Sequence, residues 1–126
     1  MSYTNVTRLG HAHTEWLRSL EFYKEEMKIF KTRLTEVAGK NTSFEARQGM
    51  EHFENQFTVQ RENIDELNHE IGLYTSKIAE ESSEHAGHVE EELVTEHDLL
   101  KEKVEGFEKT FNELRHEFNE YLSKWM

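Results

Sequence analysis

The chain has no proline and no cysteine in 126 residues. Without proline nothing obliges a helix to kink or stop, and without cysteine there is no disulfide, no thiolate metal ligand and no thiol nucleophile. The redox compartment stays open on that ground. Glycine is scarce, with six residues, and no glycine-rich phosphate loop occurs. No stretch approaches the roughly 20 apolar residues of a membrane span. The segment Met1 to Gly10 carries one Arg and no apolar run of signal-peptide length. A soluble, cytoplasmic protein without membrane insertion is expected. Positive charge is also in deficit: 15 Lys and Arg face 26 Asp and Glu, for a formal net charge of −11. That balance repels phosphate backbones and anionic lipid, so nucleic acid is not an expected partner. Lys24, Lys28, Lys31 and Arg33 stand among glutamates and read as a mixed, solvated surface.

What the chain does contain is periodicity. Three stretches place apolar residues at alternating steps of three and four, which keeps one helix face apolar over many turns. The first runs Val6, Leu9, Trp16, Leu20, Tyr23, Met27, Phe30, Leu34, Val37, with His13 as its polar member. The second runs Ala46, Met50, Phe53, Phe57, Ile64, Leu67, Ile71, Tyr74, Ile78, with Gln60 polar. The third runs Leu93, Leu100, Val104, Phe107, Phe111, Leu114, Phe118, Tyr121, Trp125, with His97 polar. The reading is all-α: one domain over residues 1–126, built as an elongated antiparallel three-helix bundle with coiled-coil-like seams. A helical hairpin completed by dimerisation is the rival.

Boundaries follow from local chemistry. The first helix is expected to begin near Thr4 or Asn5 and to end at Gly39 as a left-handed cap. Thr42-Ser43-Phe44-Glu45 has capping-box spacing and starts the second helix. The pattern lapses around Ser82 to His88, where Gly87 marks the second turn. The helices are therefore placed at approximately residues 5–38, 43–83 and 89–125, and the third has no capping signal at its end. Short connections make consecutive helices antiparallel neighbours. Counting outward from the turns puts Phe30, Phe57 and Phe118 in one layer, Val37, Met50 and Trp125 in another, and Gln60 with Met27 and Leu114. Hydrophobic stabilisation should concentrate at the aromatic end near the first turn.

Two Glu-x-x-His pairs, Glu66 with His69 and Glu113 with His116, have the spacing that di-iron carboxylate bundles use. At about 100° per residue both project away from the seams, and no carboxylate occupies a seam position, which rejects that reading. They belong to an internal echo, Ile64 to Ile71 against Phe111 to Phe118, whose origin in duplication is left open because coiled-coil composition alone produces such likeness.

The polar seam members carry more information, because a buried polar group must find a partner or weaken the fold. In the same count His13 lies near Tyr74 and Leu100, and His97 near Gly10 and Ile78, within about one helical turn of each other. His11, His85 and His88 should gather at that end, with Glu81, Glu84, Glu90 and Asp98 nearby. Imidazoles and carboxylates suit zinc, nickel or copper, and protonation of buried histidines would loosen the end between roughly pH 5 and 7. Against this, His13 and His97 also read as core histidines satisfied within the bundle, since tight metal-ligand spacing is absent. Gln60 reads as a register-fixing polar residue.

No Ser or Thr has an organised His and carboxylate beside it in sequence, so no enzymatic activity and no cofactor are expected. The main expectation is a structural or protein-interaction bundle that meets a protein partner or a second copy. Second-row apolar residues Phe22, Ile29, Val59 and Leu73 are its interface candidates, with Leu99 and Leu122 in comparable positions. The alternative is a metal-binding or pH-responsive bundle using His13 and His97 with His11, His85 and His88, and a transition metal such as zinc as cofactor.

Overall fold

The computed structural model describes the backbone of residues 3–84 and 88–126 and the side chains of residues 8–84 and 91–126. Three long helices, α1 (Val6–Lys40), α2 (Phe44–Glu84) and α3 (Glu91–Trp125), run antiparallel in sequence order. Each packs against both others. At 1.5 Å of rise per residue they are about 50 to 60 Å long, which makes the molecule a rod. Every described seam residue is buried except Trp16, Met50, Leu93, Tyr121 and Trp125, which are partly covered. The chain closes its seams within one three-helix bundle, not by lending a hairpin to a second copy. No helix among the described residues is long and apolar enough to cross a membrane.

The ends depart from the sequence reading in three places. Thr4 and Asn5, where the first helix is expected to begin, belong with Tyr3 to a short strand, β1, paired antiparallel with β2 (His88–Glu90), so the third helix starts at Glu91 and not at residue 89. Strand pairing satisfies backbone groups that a frayed helix end would leave to water. Gly39 does not cap α1 in a left-handed conformation: its φ is not positive, and the helix runs on to Lys40. Asn41 terminates it instead. Its backbone N–H donates to the Val37 carbonyl at 3.0 Å, and its side-chain amide donates both to that carbonyl, at 3.1 Å, and to the Trp125 carbonyl at 2.7 Å. One side chain thus caps α1 and, across the bundle, α3, whose end lacked a local cap. At the start of α2 the capping residue is Ser43 and not Thr42. The Ser43 Oγ accepts from the Ala46 N–H at 3.2 Å, and Glu45 reaches Lys124 at 3.3 Å and not back to the turn.

The core is aromatic where the register predicts. Ring centroids of Phe30, Phe57 and Phe118, one from each helix, lie 5.7, 5.0 and 5.1 Å apart in pairs. Phe53, Tyr121, Phe111 and Tyr23 extend the stack. Full burial of each phenylalanine contributes about 1.5 to 3 kcal/mol. Between α1 and α3, Arg115 forms a two-bond pair with Glu26, at 2.8 Å from Nε, while its guanidinium lies 5.2 Å from the Phe111 ring centroid. Beside it the Tyr23 hydroxyl donates to Glu108 at 2.7 Å, and burial followed by that bond pushes the phenol up to about 12.

Gly49 makes room for this packing. A Cβ there would stand 2.2 Å from Cε1 of Tyr121, whose hydroxyl donates to the Ala46 carbonyl at 2.6 Å. A Cβ at Gly106 would meet no atom of another element within 4 Å. Gly106→Ala should therefore raise stability by about 0.5 to 1 kcal/mol through helix propensity, whereas Gly49→Ala should lower it by about 1 to 3 kcal/mol as the Tyr121 ring is displaced. Urea unfolding of both variants checks the opposite signs. Equal gains from the two would show that the Tyr121 contact is not a constraint.

Candidate functional site

His13 and His97 occupy seam positions of α1 and α3, so the helical period that buries their apolar neighbours buries them too. They are 3% and 8% exposed, and their ring centroids are 5.5 Å apart. Trp16 stacks on His97 at 4.8 Å, and Tyr74 of α2 meets His13 edge-on at 5.0 Å. The Tyr74 hydroxyl donates to the Leu93 carbonyl, which ties α2 to the first turn of α3.

The tautomer of His13 follows from its neighbour. Thr75 Oγ1 donates to the Ile71 carbonyl at 2.8 Å, so toward His13 it can only accept, and Nδ1 of His13, 3.2 Å away, carries the proton. That leaves Nε2 as a buried lone pair with no hydrogen-bond partner among the described residues, and Nδ1 of His97 is likewise buried without one among them. Burial, and after it the proximity of His97, depresses His13 to about 4. Burial also lowers His97, against a raising influence from Asp98; Arg8 and Lys101 lower it further. Both shifts favour the neutral ring.

Of the other histidines expected at this end, only the side chain of His11 is among the described ones, and it does not join the pair. His11 is exposed. His85 lies outside the described residues, and so does the side chain of His88, whose backbone is in β2. Glu84 and Asp98 are exposed. Among the described residues no three ligating side chains converge, and two imidazoles fall short of the four-coordinate set that zinc takes. Glu66, His69, Glu113 and His116 all face solvent, with His116 3.1 Å from Glu120. Buried Gln60 accepts from Asn63 at 3.3 Å within its own helix.

The interface candidates Phe22, Ile29, Val59 and Leu73 are all exposed. Phe22 and Ile29 lie two turns apart on α1, and Val59 is on α2. Leu73, 56% exposed, shares a groove between α2 and α3 with Leu99, 55% exposed. The groove encloses about 290 Å³ above Tyr74 and Leu100. Ion pairs close both ends, Lys103 to Glu70 at 3.0 Å and Lys77 to Glu96 at 3.2 Å. The signal for this grouping is present in the sequence but needs the antiparallel register to be read. Glu70, Leu73, Tyr74 and Lys77 repeat as Glu96, Leu99, Leu100 and Lys103, a Glu-x-x-Leu-apolar-x-x-Lys pattern on facing helices.

A second groove, between α1 and α2, gathers cations that look dispersed along the chain. Lys24, Lys28, Lys31 and Arg61 border it above Met27 and Phe57. Lys24 pairs with Asp65 at 3.4 Å and Lys28 with Glu25 at 2.8 Å, so half of this charge is neutralised locally. No family model matches the chain, and neither a curated protein nor a solved structure matches it.

Proposed function

We propose that this chain is a protein-interaction module, not an enzyme, and that its contact face is the α2–α3 groove. The observation that carries this reading is the pair of half-exposed leucines, Leu73 and Leu99, set on facing helices over an apolar floor and framed by ion pairs. Paired exposed apolar groups within a polar rim are the composition of a protein contact. Thr75, the hydroxyl beside His13, commits its proton to the Ile71 carbonyl and is not a nucleophile poised by the imidazole.

A photo-crosslinking residue introduced at Leu73 or at Leu99 in source cells should yield discrete protein adducts, while the same residue at Ile29 should not. Equal yields at the three positions would refute the groove as contact face. Leu73→Asp and Leu99→Asp should each change folding stability by no more than about 0.5 kcal/mol, since neither side chain supports the core, and should abolish the adducts formed through the other position.

A second reading, favoured by the two unpartnered ring nitrogens, is that the bundle loosens in acid. His13 binds a proton at about 4 when folded and at its ordinary 6.5 when unfolded, so the unfolded chain holds more protons between these values. Stability is then full above about pH 6.5 and declines as pH falls toward 4. Burial of His97 adds a loss of the same sign. Asp98 and Lys101 on α3 and Arg8 on α1 act on His97, and the carboxylates of Glu96 and Asp98 act on Tyr74, which packs against His13. His13→Leu keeps those carboxylates while removing the ring. From pH 7 to pH 5 the wild-type chain should lose about 2 kcal/mol more than this variant, and at pH 7 the variant should be at least as stable because a buried unpartnered nitrogen is gone. Chemical denaturation at the two pH values measures the difference. Parallel losses in both proteins would exclude His13 as the acid-sensitive group.

A further inference from the structure

We infer that the occupant of the α2–α3 groove is the same groove of a second copy of this chain, an inference that rests on reading the groove as the contact face. The argument is symmetry of charge. Because α2 and α3 are antiparallel and carry the same pattern, a rotation of 180° about the normal to the groove exchanges Glu70 with Glu96, Leu73 with Leu99, and Lys77 with Lys103. The four charges stand at the corners of a rectangle, alternating in sign around its edge, since each glutamate is paired across the groove with a lysine. Its long side is about 10 Å, two helical turns.

Such an arrangement is complementary to itself. If two faces meet about a two-fold axis parallel to the bundle, α2 of each copy lies over α3 of the other. Glu70 then meets Lys103, and Lys77 meets Glu96. If the axis runs across the bundle, α2 lies over α2 with reversed direction, so Glu70 meets Lys77 and Glu96 meets Lys103. In both cases unlike charges face each other and leucines meet leucines at the centre. This is the requirement of a closed, isologous dimer. A partner segment of a single charge sign would meet two repulsive corners whichever way it lay.

The formal charge of −11 on each copy opposes association at long range. At about 0.15 M salt the screening length is about 8 Å, so distant carboxylates are muted while directly apposed corners still attract. With a patch well below the roughly 1,200 Å² of a stable interface, the dissociation constant should be on the order of 100 µM.

Sedimentation velocity of the full chain between about 10 µM and 1 mM tests the inference against that constant. The wild-type chain should pass from monomer to dimer, and Leu73→Asp with Leu99→Asp should weaken dimerisation at least tenfold. The sharper variant reverses every corner at once: Glu70→Lys, Lys77→Glu, Glu96→Lys and Lys103→Glu. It conserves net charge and the pairs across the groove, so it should form its own dimer but no mixed dimer with labelled wild-type chain. A wild-type chain that stays monomeric at the highest concentration overturns the second copy as occupant. So does a dimer indifferent to the leucine substitutions, or a mixed dimer as strong as the parent. If the reversed variant does not fold, as judged by circular dichroism, the leucine variants alone decide. The two readings fail separately: groove-specific photo-adducts of a foreign mass together with a monomeric chain would retain the contact face and refute the second copy.

Discussion

The register of the three apolar seams is the constraint on which the rest of this molecule depends, and it is locked where Phe30, Phe57 and Phe118 meet. Steps of three and four keep each seam on one helix face, but they do not by themselves say which residue faces which. Large rings do. Sliding α3 by one turn would replace Phe118 in this layer by the smaller Leu114 and leave a void, a change that costs several kcal/mol in a close-packed interior. Around the locked layer, Tyr121 comes to rest against Gly49 and bonds Ala46, and Asn41 reaches the last carbonyls of two helices.

With register settled at the aromatic end, composition at the far end is dictated by what remains. There the seams bring together His13, His97, Trp16 and Tyr74 in place of phenylalanines. The rod is therefore asymmetric in its energetics: one half is secured by dry aromatic contacts, the other by a polar layer in which two ring nitrogens lack partners among the described residues. An unpartnered buried acceptor subtracts from stability, by about 1 to 3 kcal/mol. Tyr74 joins this layer to the surface, since its ring touches His13 while it also forms part of the floor between Leu73 and Leu99. The weakest part of the core and the proposed contact face thus share a wall.

Legibility in the sequence was uneven for physical reasons. The helices and their buried faces were readable because a long apolar period has one interpretation, and the proline-free chain offers no competing break. The ends were not. Capping depends on which of several polar groups reaches an orphan carbonyl, and Asn41 does so partly through Trp125, distant in sequence. Ser43 prevails over its neighbour Thr42 by a shift of one residue. The pairing of β1 with β2 joins segments that carry no strand-length pattern of their own. Among the interface candidates, exposure was foreseeable for Phe22, Ile29, Val59 and Leu73, yet only a map of facing helices shows that Leu73 belongs with Leu99.

By itself the sequence determined the number of helices, their antiparallel order and which residues are withdrawn from water, because hydrophobic periodicity acts locally and repeats over many turns. It also determined that two histidines lie inside. The tertiary structure alone decided that those rings touch each other, that Thr75 sets the tautomer of one, and that two copies of a Glu, Leu and Lys pattern face each other as a charge rectangle. Those features depend on the rotation and stagger of one helix against another, set by how particular side chains fill particular gaps and not by the average period of a chain.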